Sequence, residues 1–130
     1  MNRRTLLAGL AAGVSTLAMS KISLAGGHGR IGTFAGINNH TSSGRAELIK
    51  TSNGGEVALL DDFVFDGAPD PKIALGKDGT YDPATLSGLL QSNTGASSYT
   101  LPAGTNPDDY NEVWIWCEKF NVGLAIAPLG

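Results

Sequence analysis

The stretch RAELIKTSNGGEVALLDDFVF, residues 45–65, decides the fold. Its first seven residues alternate, with Ala46, Leu48 and Lys50 on one side and Glu47 and Ile49 on the other, the period of a half-buried strand. Asn53-Gly54 follows, a pair that tolerates the positive φ values a tight hairpin needs. A second apolar run then begins at Glu56. Two strands joined by so short a turn must be antiparallel neighbours, and two strands alone are not stable in water. The rest of the chain therefore has to supply more of the same.

It does so in short pieces. RIGTF (30–34) reads as a first short strand. DGAPDP (66–71) is a rigid corner, since two prolines remove ladder donors and restrict the residues before them. KIAL (72–75) is a strand and GKDGTYD (76–82) reads as a loop. DPATLSGLL (82–90) carries an Asp cap, a Pro at the first helical position and leucines at helical spacing, so one or two turns of helix are expected there. SSYTLP (97–102) returns as strand, TNPDDYNE (105–112) is a capped turn, and VWIWCEKFNVGLAIA (113–127) is a last hairpin or bent strand. With 18 glycines and 6 prolines acting as punctuation in 130 residues, the expected class is all-β: one antiparallel β-sandwich, or a barrel-like sandwich, with one or two short helical turns.

The first 25 residues fall outside this pattern. MNRRTLLAGLAAGVSTLAMSKISLA has a basic start, an apolar segment and a small-residue end, the layout of an export signal. Arg3-Arg4 before Thr5, Leu6 and Leu7 matches a twin-arginine type of signal. The apolar run from Leu6 to Met19 is shorter than the roughly 20 residues a membrane span needs. The expectation is a signal over 1–25, a β domain over 26–130, no stable membrane span after cleavage, and a periplasmic or secreted product.

Charge narrows the partners. Loss of Arg3, Arg4 and Lys21 leaves six basic side chains against twelve acidic, a net charge of −6 in place of −3. A chain so acidic and without a Lys/Arg cluster would repel nucleic-acid phosphates. Binding of nucleic acid is excluded on that ground.

Chemistry converges on Cys117, the only cysteine. In an exported chain it cannot pair internally, which leaves a free thiol, an intermolecular disulfide or a ligand role. Alternation places Val113, Ile115 and Cys117 on one face and Trp114, Trp116 and Glu118 on the other, so the sulfur is also read as a buried small hydrophobe. Lys119, two residues on, is expected on the thiol's side; a cationic neighbour matters because the thiolate is the reactive form. Absence of C-x-x-C-H excludes covalent haem attachment, and absence of C-x-x-C excludes a dithiol pair or a simple thiolate zinc site. A copper site from Cys117, His40 and His28 is compositionally open, as is axial haem ligation by the thiolate. No metal site is expected among the aspartates, which lack a D-x-D-x-D-G loop, and no G-x-S-x-G context supports a hydrolase.

A resemblance sharpens this. Gly32-Thr33-Phe34, His40 with Ser43-Gly44, Asp62-Phe63, Asp66-Gly67, Pro69-Asp70, Tyr99 before Leu101-Pro102, Tyr110, Ile115-Trp116-Cys117 with Phe120 and Val122, and Ala125 to Leu129 together resemble the DM-thirteen (DM13) "electron transfer" domain family. The IWC-x-x-F-x-V ending is the specific part. The family more often has G-P-D-L-x-V-Y-L where this chain has GAPDPKIAL, with Ala68 inserted. The resemblance implies an all-β domain whose hallmark cysteine matches Cys117, acting in redox chemistry as a bare thiol or by holding a prosthetic group such as haem. On that reading Cys117 is the catalytic residue, and Cys117, His40 and Trp116 surround any cofactor. The electron partner is then a separate electron-transfer or envelope protein. The contrasting reading is a non-catalytic envelope binding or structural module in which Cys117 only packs.

Overall fold

The computed structural model describes residues 29–130; the signal expected over 1–25 and His28 lie outside them. Eleven strands run in chain order: β1 (Arg30–Thr33), β2 (Ala35–Gly36), β3 (Ser42–Ser43), β4 (Arg45–Thr51), β5 (Gly54–Leu59), β6 (Val64–Phe65), β7 (Pro71–Lys77), β8 (Thr80–Asp82), β9 (Ser97–Thr100), β10 (Glu112–Cys117) and β11 (Val122–Pro128). They form a four-stranded sheet in the order β9-β5-β4-β1, a five-stranded sheet in the order β2-β11-β10-β7-β8, and the short pair β3-β6. All pairings are antiparallel, as the all-β expectation required.

The inner faces of the two larger sheets make the core. Ala46, Leu48, Val57 and Leu59 come from the first; Ile73, Leu75, Val113, Ile115, Ala125 and Ala127 come from the second. Phe34, Phe63, Phe65 and Leu124 also join it. Each fully buried Leu, Ile, Val or Phe contributes roughly 1.5–3 kcal/mol relative to exposure. At one side the sheets are joined: Gly32 bridges Leu129, and the Gly130 amide donates to the Ile31 carbonyl.

The β4-β5 hairpin forms where expected, but its turn is shifted. Thr51 pairs with Gly54, so the chain reverses at Ser52 and Asn53, and of the Asn53-Gly54 pair only Gly54 takes a positive φ, 146°. The larger departure is at GKDGTYD, which was read as a loop. It is the tip of a β7-β8 hairpin in which Lys77 pairs with Thr80 across Asp78 (φ 50°) and Gly79 (φ 86°). Positive φ at both central residues is the turn whose twist suits two right-handed strands, and Asp-Gly is its preferred sequence. The helix expected over 82–90 shrinks to a single 3₁₀ turn, Pro83–Thr85, because the chain past Leu86 is drawn back onto β7, with the Ser87 amide donating to Ile73 and the Leu90 amide to Pro71. Thr85, fully buried, satisfies its hydroxyl on the Leu75 and Asp82 carbonyls.

In β11 one residue is inserted relative to β10. Ile115 faces Ala125 while Trp116 faces Gly123, leaving Leu124 as the extra residue of a bulge. Leu124 and Ala125 consequently both belong to the core, although they are consecutive.

Candidate functional site

Strand β10 carries the site, and its alternation is as the sequence predicts up to its last residue. Val113, Ile115 and Cys117 enter the core cluster; Trp114 and Trp116 occupy the outer face of the five-stranded sheet. Cys117 is a free thiol, 1% exposed, opposite Pro71 of β7 and Val122 of β11. The strand ends there. Lys119, expected on the thiol's side, lies instead in the exposed turn, its ammonium 5.6 Å from the Phe120 ring centroid and its amide donating to Asp70 Oδ2. No alternation survives into a turn, so the thiol has lost that cationic neighbour.

On the outer face the two indoles and Tyr81 of β8 form a continuous aromatic group. Tyr81 and Trp116 are stacked, with centroids 3.8 Å apart and planes 11° from parallel; Trp114 lies 6.0 Å from Trp116 and 6.3 Å from Tyr81. Trp114 is only 6% exposed although it is on an outer face. It lies flat because its neighbours on either side are glycines: a Cβ at Gly76 would come 2.3 Å from Trp114 Nε1, and one at Gly123 would come 2.7 Å from Cζ3. Its Nε1–H donates to Glu112 Oε1 at 3.0 Å. Beside Trp116, Lys72 is bonded to Glu118 and lies 3.8 Å from Asp70. The Glu118 bond, with help from Asp70, holds the Lys72 ammonium above its ordinary range. Burial, with Glu118 and Asp82 nearby, likewise pushes the Tyr81 phenol up.

His40 sits elsewhere, in the turn between β2 and β3. Its Nδ1–H donates to Asp66 Oδ1 at 2.9 Å, and its ring stacks on Phe65 with centroids 5.7 Å apart. The Thr41 amide donates to Asp66 Oδ2, and these bonds, the His40 one foremost, hold the Asp66 carboxyl below its ordinary range. Of the three residues singled out from the sequence, Cys117 and Trp116 are consecutive but face opposite ways, and His40 is tied to Asp66. No hydrogen bond or ion pair among the described residues joins the three.

A haem-like group does not fit this arrangement. The only thiol that could hold it is enclosed in the core cluster, 1% exposed, and His40 is engaged with Asp66. The aspartates are engaged locally: Asp62 with Arg45, Asp108 with Lys50, Asp78 with Asn111, and Asp70 with the Lys119 amide. Among the described residues no three His, Cys, Asp or Glu side chains are grouped as metal ligands.

The residues that sequence reasoning missed are Tyr81, Asp82 and Tyr110. The Tyr110 hydroxyl donates to Asp82 Oδ2 at 2.6 Å, while Asp82 Oδ1 accepts the Ala84 amide at 2.9 Å. Reading Asp78-Gly79 as a hairpin turn would have put Thr80–Asp82 on a strand and Tyr81 beside the tryptophans.

An all-β sandwich with one enclosed cysteine and an aromatic group on the same strand is the class of protein defined so far. The family follows from comparison: the model for "Electron transfer DM13" matches residues 33–129, and the chain belongs to that family. That membership supports a general electron-transfer or redox role, and with it a redox partner. No curated protein and no solved structure matches the chain. Among the described residues no helix is long and apolar enough to cross a membrane.

Proposed function

We propose that this domain is an exported electron carrier in which Cys117 is the redox-active residue, working as a thiol and exchanging electrons with a separate electron-transfer protein in the periplasm or outside the cell. One observation carries the reading: the strand that holds Cys117 inward holds Trp116 outward, stacked on Tyr81. An electron crosses a few ångströms of packed protein without the donor and acceptor touching, whereas an alkylating or atom-transfer reagent must reach the sulfur itself. A sealed thiol backed by a half-buried aromatic pair suits the first kind of chemistry and resists the second. His40 and Asp66 then hold the β2–β3 turn in place and do not bind a cofactor. Export through a twin-arginine signal suits a β domain of this size, since that route carries folded proteins.

The test is to oxidise the folded protein with a measured number of one-electron equivalents, unfold it, alkylate it and weigh it. Loss of alkylatable thiol in proportion to the equivalents supports the proposal. A fully retained thiol, with consumption of the oxidant unchanged in Cys117→Ala, overturns it in favour of the second reading. That second reading, a binding or structural module of the envelope with a packing cysteine, is favoured by the 1% exposure of Cys117.

A further inference from the structure

Of the three tyrosines, Tyr110 is the one whose hydroxyl donates to a carboxylate among the described residues. The Tyr99 hydroxyl is shared between Ser97 Oγ and the Gln91 amide. The Tyr110–Asp82 bond, at 2.6 Å, has the length of a charge-assisted O–H···O contact. Both partners are fixed from behind. The Ala84 amide holds the other carboxylate oxygen, the Tyr110 amide donates to Pro107, and its carbonyl accepts from Arg30 Nη2 at 2.7 Å. The pair lines an open hollow of about 440 Å³ together with Lys77, Thr80, Tyr81, Pro83 and a second carboxylate, Asp109. Tyr81 in that wall is the same ring that stacks on Trp116.

A phenol gives up an electron readily only if its proton leaves at the same time, because the protonated radical cation is a very strong acid. A carboxylate already accepting the hydroxyl removes that obstacle, and one held in position performs as a general base of fixed geometry. We propose that Tyr110 is a one-electron redox site of this domain, oxidised through the hollow by a metal-centred one-electron acceptor while its proton passes to Asp82. In the step the Tyr110 O–H bond breaks, an O–H bond forms at Asp82 Oδ2, and one electron goes to the acceptor, whose metal is reduced by one unit. The product is a neutral tyrosyl radical hydrogen-bonded to a neutral aspartic acid, and a one-electron donor reverses every part. The proposal rests on the electron-transfer reading of the domain but not on Cys117.

Rapid mixing with hexachloroiridate(IV), followed by freeze-quench electron paramagnetic resonance, tests it. A neutral tyrosyl signal is expected in the wild type, in Tyr81→Phe and in Cys117→Ala, and is lost in Tyr110→Phe. Asp82→Asn is expected to slow its appearance about 100-fold, the lower end of what a positioned proton acceptor contributes, and heavy water is expected to slow the wild type. A signal surviving Tyr110→Phe overturns the proposal, as does a wild-type rate indifferent to heavy water, a reading that needs no variant to fold. Persistence of the tyrosyl signal in Cys117→Ala, whatever becomes of the thiol, separates this site from the cysteine.

Discussion

Tyr81 and Trp116 lie face to face across the outer surface of the five-stranded sheet, 3.8 Å between centroids, although they come from β8 and β10, two strands that do not pair directly. Strand β7 separates them, with Lys72 opposite Trp116 and Gly76 opposite Tyr81. A double-mutant cycle of Tyr81→Leu and Trp116→Leu is expected to return a coupling of about 1 kcal/mol by urea unfolding, within the range for stacked aromatic pairs. Tryptophan emission in Tyr81→Leu alone should shift to longer wavelength as Trp116 gains water.

Adding one methyl group under Trp114 should be costly. Gly76→Ala places a Cβ against Nε1 and breaks the geometry of the bond to Glu112; Gly123→Ala places one against Cζ3 and Ile37. Each is expected to destabilise by about 1–3 kcal/mol, the usual cost of overpacking. Thermal unfolding with near-ultraviolet circular dichroism of the indoles measures both the loss and its origin.

Enclosure of Cys117 predicts thiol chemistry gated by unfolding. In native buffer a thiol reagent should label it only at the rate at which the sandwich opens, and in denaturant at once. Cys117→Ala should cost about 1–2 kcal/mol for the lost packing. Cys117→Ser should cost more, because a hydroxyl among apolar side chains has no partner. Equal stability of the two variants would show the sulfur in contact with solvent.

The Tyr110–Asp82 bond makes two pH-dependent contributions of opposite sense. The bond raises the Tyr110 phenol to about 12 from its ordinary 10, so its stabilisation is complete below pH 10 and is lost as pH climbs toward 12. The same bond holds Asp82 below its ordinary 3.8, so that contribution is complete above that value and fades as pH falls through the native, lowered pKa. Tyrosinate absorbance should show one tyrosine titrating near pH 12 in the wild type and moving downward in Asp82→Asn.

How far the sequence discloses this molecule depends on the range of the interaction involved. Alternation in RAELIKT and VWIWC locates both sheets and the inward thiol, because burial with period two is written in neighbouring residues. The helical turn expected at DPATLSGLL forms but stops after one turn: its Asp cap and Pro are local, whereas the chain beyond Leu86 answers to β7, more than ten residues earlier in the sequence. The site divides in the same way. Cys117 and the outward Trp116 are legible from one strand. Tyr81, the Asp82–Tyr110 bond and the His40–Asp66 bond each join segments at least 25 residues apart and depend on register, which spacing alone does not specify. The exception is Asp78-Gly79, a hairpin signal as strong as Asn53-Gly54, which would have delivered Tyr81 to the sheet.

Leu124 acts as the punctuation mark of the last strand. Gly123 lies beneath the Trp114 ring on one side while Ala125 and Ala127 close the interior on the other; because Ile115–Ala125 and Trp116–Gly123 are successive pairs of the ladder, deleting Leu124 would straighten the strand without changing which way its residues face, at the cost of one fully buried leucine. The last strand thus gives the interior one more side chain than its ladder requires, while the seat of Trp114 across from the thiol keeps its frame.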